Sequence, residues 1–116
     1  MKLSHVTIQT KNFEEEIYFF EKHVEMEVVH RMQGMGRNIV FLTGGEGGSN
    51  IEIIEKLDAE NSGNENISLG FKTEDIERKR EELISDGYEV TPMISPMPNA
   101  KFFFAKDPAG VTIQFL

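Results

Sequence analysis

The chain opens on an alternation. Residues 3–10, LSHVTIQT, place Leu3, His5 and Thr7 on one side of an extended backbone and Val6 and Ile8 on the other. This period of two predicts a strand. The period then changes, with Phe13, Ile17, Phe20 and Val24 recurring at helical spacing as one apolar stripe. Asn12, followed three residues later by Glu15, predicts an N-terminal cap for that helix. Residues 26–32, 38–43 and 50–55 predict three more strands. Gly44-Gly45-Glu46-Gly47-Gly48 separates the last two. It reads as a turn, because no helix follows and no Gly-Lys-Ser/Thr ending makes it a phosphate loop.

Residues 57–65 are polar, carry Asn, Ser and Gly, and predict a linker. After it the same order returns. Residues 66–72 predict a strand, and 74–86 a helix stopped by Gly87. Residues 88–94, 101–106 and 111–116 predict strands. Pro92, Pro96 and Pro98 predict a stiff, non-helical loop over 92–100. Asp107-Pro108-Ala109-Gly110 has the residue chemistry of a tight turn. The repeat has a nearly constant offset: 61 from His5 to Asn66, 63 from Phe13 to Ile76 and from Phe20 to Leu83, and 62 from Glu52 to Gln114. A β-α-β-β-β order met twice at one offset predicts a duplicated unit. The predicted organisation is one domain, with unit one at 1–56, a linker at 57–65 and unit two at 66–116.

A chain of 116 residues is long enough for one core without metal or disulfide staples. It has no cysteine, which removes disulfide frameworks, thiolate zinc sites and cysteine nucleophiles together. The formal net charge of −8 disfavours nucleic acid and anionic lipid as partners. Arg78-Lys79-Arg80 sits among Glu77, Glu81 and Glu82 and reads as a solvated helix face. The N-terminus has no apolar signal segment, and no apolar run approaches a membrane span, so a cytoplasmic protein is expected. No Ser-His-Asp arrangement, Walker loop or zincin helix is visible.

The opening Leu3-Ser4-His5-Val6, the helix containing Tyr18-Phe19 and the closing Asp107-Pro108-Ala109-Gly110-Val111-Thr112-Ile113-Gln114 point in one direction. Over residues 3 to 116 the chain resembles the vicinal-oxygen-chelate superfamily. That superfamily includes glyoxalase I, extradiol dioxygenases, fosfomycin-resistance enzymes and bleomycin-binding proteins. The resemblance implies an α+β fold in which two βαβββ units form a glyoxalase-type half-barrel pair, one helix packed outside each sheet. It also implies a divalent ion (nickel, zinc, cobalt, iron or manganese) held by the first and last strands of each unit. The matching positions are His5 and Glu52 in unit one and Asn66 and Gln114 in unit two. Glyoxalase I-like sequences usually carry His and Glu at the second pair. Imidazole and carboxylate suit first-row divalent ions, whereas the Asn and Gln carbonyls are uncharged and bind more weakly.

Two functions follow from the resemblance. One is a metal-dependent lyase or isomerase acting on a small carbonyl compound such as a thiol hemithioacetal. There the ion acts as Lewis acid and Glu52 or a metal-bound water moves the proton. The alternative is a metal-free, drug-sequestering binding protein, with Asn66 and Gln114 as polar pocket residues. A homodimer is implied in either case. Residues outside the pattern have plainer readings. His5 reads equally as a hydrogen-bonded cleft histidine, and His23 and His30 as ordinary surface or strand histidines. Glu55 is expected on the opposite face from Glu52. Met32, Met35, Met93, Met97, Phe41 and Phe103 line an adaptable apolar pocket or simply pack the core. Arg31 and Arg37 are candidates for holding an anionic substrate group, with no direction assigned to either.

Overall fold

The computed structural model describes residues 1–60 and 65–116, in two compact units, Met1–Asn61 and Ser62–Leu116. The expected linker at 57–65 lies partly at 61–64, outside the described residues.

In the first unit the elements are β1 (Val6–Thr10), α1 (Phe13–Lys22), β2 (Glu27–Gly34), β3 (Arg37–Thr43) and β4 (Asn50–Glu55). The sheet order is β1-β4-β3-β2. β1 runs parallel to β4, and the other pairs are antiparallel. Alternation sorts the side chains. Ile8, Val40, Leu42, Ile51 and Ile53 are buried on one face, where α1 packs against β4. The helix brings Phe13, Ile17 and Phe20 to this core, as their spacing predicts. Phe19 is equally buried, so α1 is covered over more than the single expected stripe.

The start of α1 departs from expectation. Asn12 occupies the cap position but makes no side-chain cap bond, because its φ of −99° and ψ of 56° fall outside the extended geometry a cap needs. The hydroxyl of Thr10 instead accepts the Asn12 N–H at 3.0 Å. His23, read from sequence as surface or strand, closes the helix. It is 1% exposed, and its N–H donates to the Phe19 carbonyl at 2.9 Å. β2 ends two residues later than expected because the hairpin continues to a two-residue loop. Met35 and Gly36, both at positive φ (54° and 76°), join the paired Gly34 and Arg37. Positive φ at both loop residues is the twist-matched hairpin turn. The glycine turn after β3 needs its last glycine, since a Cβ on Gly48 would lie 2.7 Å from the Gly44 backbone.

The second unit repeats the order with β5 (Ser68–Phe71), α2 (Ile76–Ser85), β6 (Ile94–Met97), β7 (Ala100–Lys106) and β8 (Thr112–Phe115). Its sheet order is β5-β8-β7-β6, with β5 parallel to β8. α2 packs against β7. Leu83, Phe103, Ala105, Ile113 and Phe115 form the core, with Phe103 and Phe115 stacked at 5.2 Å. Asp75 caps α2, accepting the Arg78 N–H at 3.1 Å. Gly87 ends it at φ 87°, its N–H bonded to Ile84 and that of Tyr88 to Leu83.

The strand expected at 88–94 is not there. Val90 makes one isolated bridge to Ala105. The ladder resumes as β6 inside the segment read as a proline loop. Proline lacks the ladder N–H, so Pro96 is tolerated only because β6 is the short, irregular edge of its sheet. The closing turn is organised by a buried carboxylate. Asp107 Oδ1 accepts the N–H groups of Ala109 (3.0 Å) and Val111 (2.7 Å), and Gly110 takes φ 86°. The most specific local mark in the sequence therefore has a structural role.

Candidate functional site

The face of the first sheet opposite the core carries the polar residues. Parallel pairing puts Thr7 beside Glu52, and antiparallel pairing puts Phe41 on the other side of Glu52, with His30 beside Phe41. Partners aligned across a ladder share a face. His5 precedes β1 by one residue and joins this face two positions before Thr7.

The geometry brings His5 and Glu52 together. His5 Nε2 lies 3.6 Å from Glu52 Oε1, with the two side chains 37% and 16% exposed. The Thr7 hydroxyl donates to that same oxygen at 2.6 Å, a short, charge-assisted bond. His5 Nδ1 is 3.2 Å from Ser4 Oγ, and its ring meets Phe41 edge-on at 5.9 Å. An imidazole–carboxylate separation of 3.6 Å is too long for a hydrogen bond. It suits two ligands of one small ion, each about 2.1 Å from it.

In the second unit Gln114 pairs with Gly70 on β5 and Phe104 on β7, and its Oε1 lies over Gly70, 3.4 Å from where a Cβ would stand. Phe102 and Phe104 meet edge-on at 5.6 Å. Asn66 lies in a turn before β5 and is exposed. The register gives its position a different neighbour. Thr7 faces Glu52 and Gly70 faces Gln114, so the residue two places earlier, equivalent to His5, is Ser68 at the start of β5. Among the described residues no three His, Cys, Asp or Glu groups come together as a metal cluster. The donor set therefore fits a divalent ion only in part, as one imidazole and one carboxylate on the first sheet.

The remaining candidates separate cleanly. Glu55 lies on the core-side register with Ile53 and accepts from Asn38 Nδ2 at 2.9 Å. Phe103 is core, Met35 is 94% exposed at its turn, and Met97 is 64% exposed at the sheet edge. Arg31 is beside Glu14 at 3.5 Å and lines a shallow cleft of about 310 Å3 with Phe13, Gln33 and Asn38. Thr7 was not singled out from sequence. Its only signal was its place two residues after His5 in an alternating strand, and the β1–β4 pairing that makes it a neighbour of Glu52 is long-range.

Comparison with known proteins agrees with this architecture. A glyoxalase/bleomycin resistance protein/dioxygenase domain from Frankia sp. EAN1pec superposes with a TM-score of 0.80 at 15% identity, over 99% of this chain and 95% of that one. A glyoxalase family protein from Enterococcus faecalis gives 0.77 at 21% identity, over 98% and 95%. A fosfomycin resistance protein, FosX, from Listeria monocytogenes, in complex with Mn(II) and 1S,2S-dihydroxypropylphosphonic acid, gives 0.79 at 17% identity, over 98% and 90%. No curated protein matches by sequence. The sequence itself matches one family over residues 2–115, and the chain belongs to it: the Glyoxalase/Bleomycin resistance protein/Dioxygenase superfamily.

Proposed function

We propose that this protein is a metal-assisted enzyme of the glyoxalase type, a lyase or isomerase acting on a small carbonyl compound such as a thiol hemithioacetal. The observation that carries the reading is the His5–Glu52 pair, 3.6 Å apart on the open face of the first sheet with Thr7 bonded to the carboxylate. His5 and Glu52 would hold the ion, with the amides of Gln114 and Asn66 as weaker candidates. When bound, nickel, zinc, cobalt, iron or manganese would supply a Lewis acid for a carbonyl oxygen. The protein's own part is proton handling. The Glu52 carboxylate would take the proton from the carbon next to the carbonyl and return it to the former carbonyl carbon. Thr7 holds the carboxylate in one rotamer, and Phe41 offers an apolar wall against His5. Structural neighbours include a fosfomycin resistance protein complexed with Mn(II), which supports the choice of ion chemistry. A cytoplasmic homodimer belongs to the same reading, and light scattering tests the assembly.

The test is metal stoichiometry. Protein stripped and reloaded with each of the five ions is expected to retain near-stoichiometric metal by elemental analysis, and His5→Ala and Glu52→Ala to lose it. Turnover of a hemithioacetal should fall with the same two variants. If neither metal nor turnover responds to them, the proposal fails.

A second reading has its own support. Gln114, Gly70, Phe102 and Phe104 give the second sheet an aromatic face, with Lys106, bonded to Thr112 at 2.8 Å, at one end of it. Such a face suits metal-free sequestration of a flat small molecule. Saturable ligand binding by the metal-stripped protein, unaffected by His5→Ala, favours this reading over the first.

A further inference from the structure

Two arginines were candidates for an anionic group, and the structure separates them. Arg31 pairs with Val40, which faces the core side, and its guanidinium is beside Glu14. Arg37, Ile39 and Phe41 alternate along β3 onto the other side, the face of His5, Thr7 and Glu52. Arg37 Nη1 donates to Gln9 Oε1 at 3.2 Å. Gln9 belongs to the same face, two residues beyond Thr7 on β1 and aligned with Ile54, so it stands roughly 7 Å along the strand from Thr7. The floor between the two polar groups is made by Ile39 and Ile54, which pair across the sheet.

We propose that Arg37, positioned by Gln9, is the specificity residue of this face, and that the ligand is a small oxo compound carrying a carboxylate two or three carbons from its carbonyl. A guanidinium presents five donors in a planar fork, so one bond to Gln9 leaves the fork able to grip a carboxylate bidentately. The ligand's carbonyl end then reaches His5 and Glu52 across the isoleucine floor. The chain as a whole repels anions, at net charge −8, so selection of an anion depends on this local cation. The inference rests on the proposed function only in taking the His5–Glu52 face as the binding face.

The experiment compares 4-oxopentanoate with its neutral amide, 4-oxopentanamide, titrated into the full chain and followed by backbone amide NMR. Wild type is expected to bind the acid at least tenfold tighter, the scale of one charge-assisted interaction. R37Q should bind acid and amide alike, while R31Q should keep the preference. Gln9→Ala should lower the acid-to-amide ratio without changing the affinity for the amide, which a merely structural role would not do. Equal binding of the two probes by wild type, no saturable shift with the acid, or a preference retained in R37Q would overturn the proposal. Metal stoichiometry is read separately. An Arg37-dependent acid preference in a protein that retains no metal would sink the enzyme reading and leave this one standing.

Discussion

Glu52 shows how little one side chain says until its neighbours are placed. In sequence it is an acid between isoleucines. In the fold it accepts a 2.6 Å bond from Thr7 and lies 3.6 Å from an imidazole. Groups that orient a metal-binding or catalytic carboxylate typically matter by about 10–100-fold. Thr7→Val keeps the shape and removes the donor. It is expected to weaken metal affinity on that scale while leaving the thermal midpoint nearly unchanged, measured by competition with a chelator and by calorimetry. His5 was legible because alternation and the family opening both pointed to it. Thr7 was not, because its importance comes from a residue 45 positions away. Asn66 met the opposite difficulty. The helices are spaced by 63, and the parallel registers give the same spacing between Thr7 and Gly70. The offset of 61 used for Asn66 therefore reaches a turn residue, and Ser68 holds the strand position.

At the scale of elements, the strongest sequence signals were the helices and the turns. Both helices formed within two residues of where the apolar spacing and the terminating residues put them, because those signals act locally. Strand ends were less legible. β2 and β3 extend to a loop that holds Met35 at φ 54°, a left-handed conformation that suits Asn far better than Met. Met35→Asn is expected to stabilise the protein by about 1 kcal/mol, read as a raised urea midpoint with an unchanged slope. β6 formed where three prolines argued against it, since an edge strand needs only one row of ladder bonds. The link between α2 and β7 is an exposed ion pair, Lys101 Nζ to Glu77 Oε1 at 2.7 Å. The hydrogen bond from Lys101 holds the Glu77 carboxyl below its usual 4.5, and the same bond raises Lys101 above its usual 10.5. The stabilisation from Glu77 is thus present above its ordinary pKa and lost as the pH falls through the lowered value. That from Lys101 is present below 10.5 and lost as the pH rises through its raised value. In Lys101→Met the Glu77 pKa should move upward in an NMR titration. Because the pair is fully exposed, 0.5 M salt should produce most of the same movement in wild type.

For the molecule as a whole, each unit has its own apolar cluster, and Leu83 is the fully buried helix residue of the second. Leu83→Ala is expected to cost about 2–5 kcal/mol, measured by chemical denaturation, while the His5–Glu52 face in the first unit keeps its metal affinity at low denaturant. No described helix is long and apolar enough to cross a membrane, in line with the composition. What the sequence by itself determined was the duplicated β-α-β-β-β order, the apolar stripes of the helices and the closing turn, which follow from local periodicity and turn chemistry acting over a few residues, together with the superfamily, which came from the resemblance of its opening, helix and closing motifs. Tertiary structure alone decided which side chains meet. It aligned β1 with β4 and so gave Glu52 its Thr7. It sent Arg37 and Arg31 to opposite faces, buried His23 at a helix end and put Ser68 rather than Asn66 in the strand. Those outcomes depend on strand register, where a one-residue slip turns every side chain to the other face, and long-range pairing sets that register.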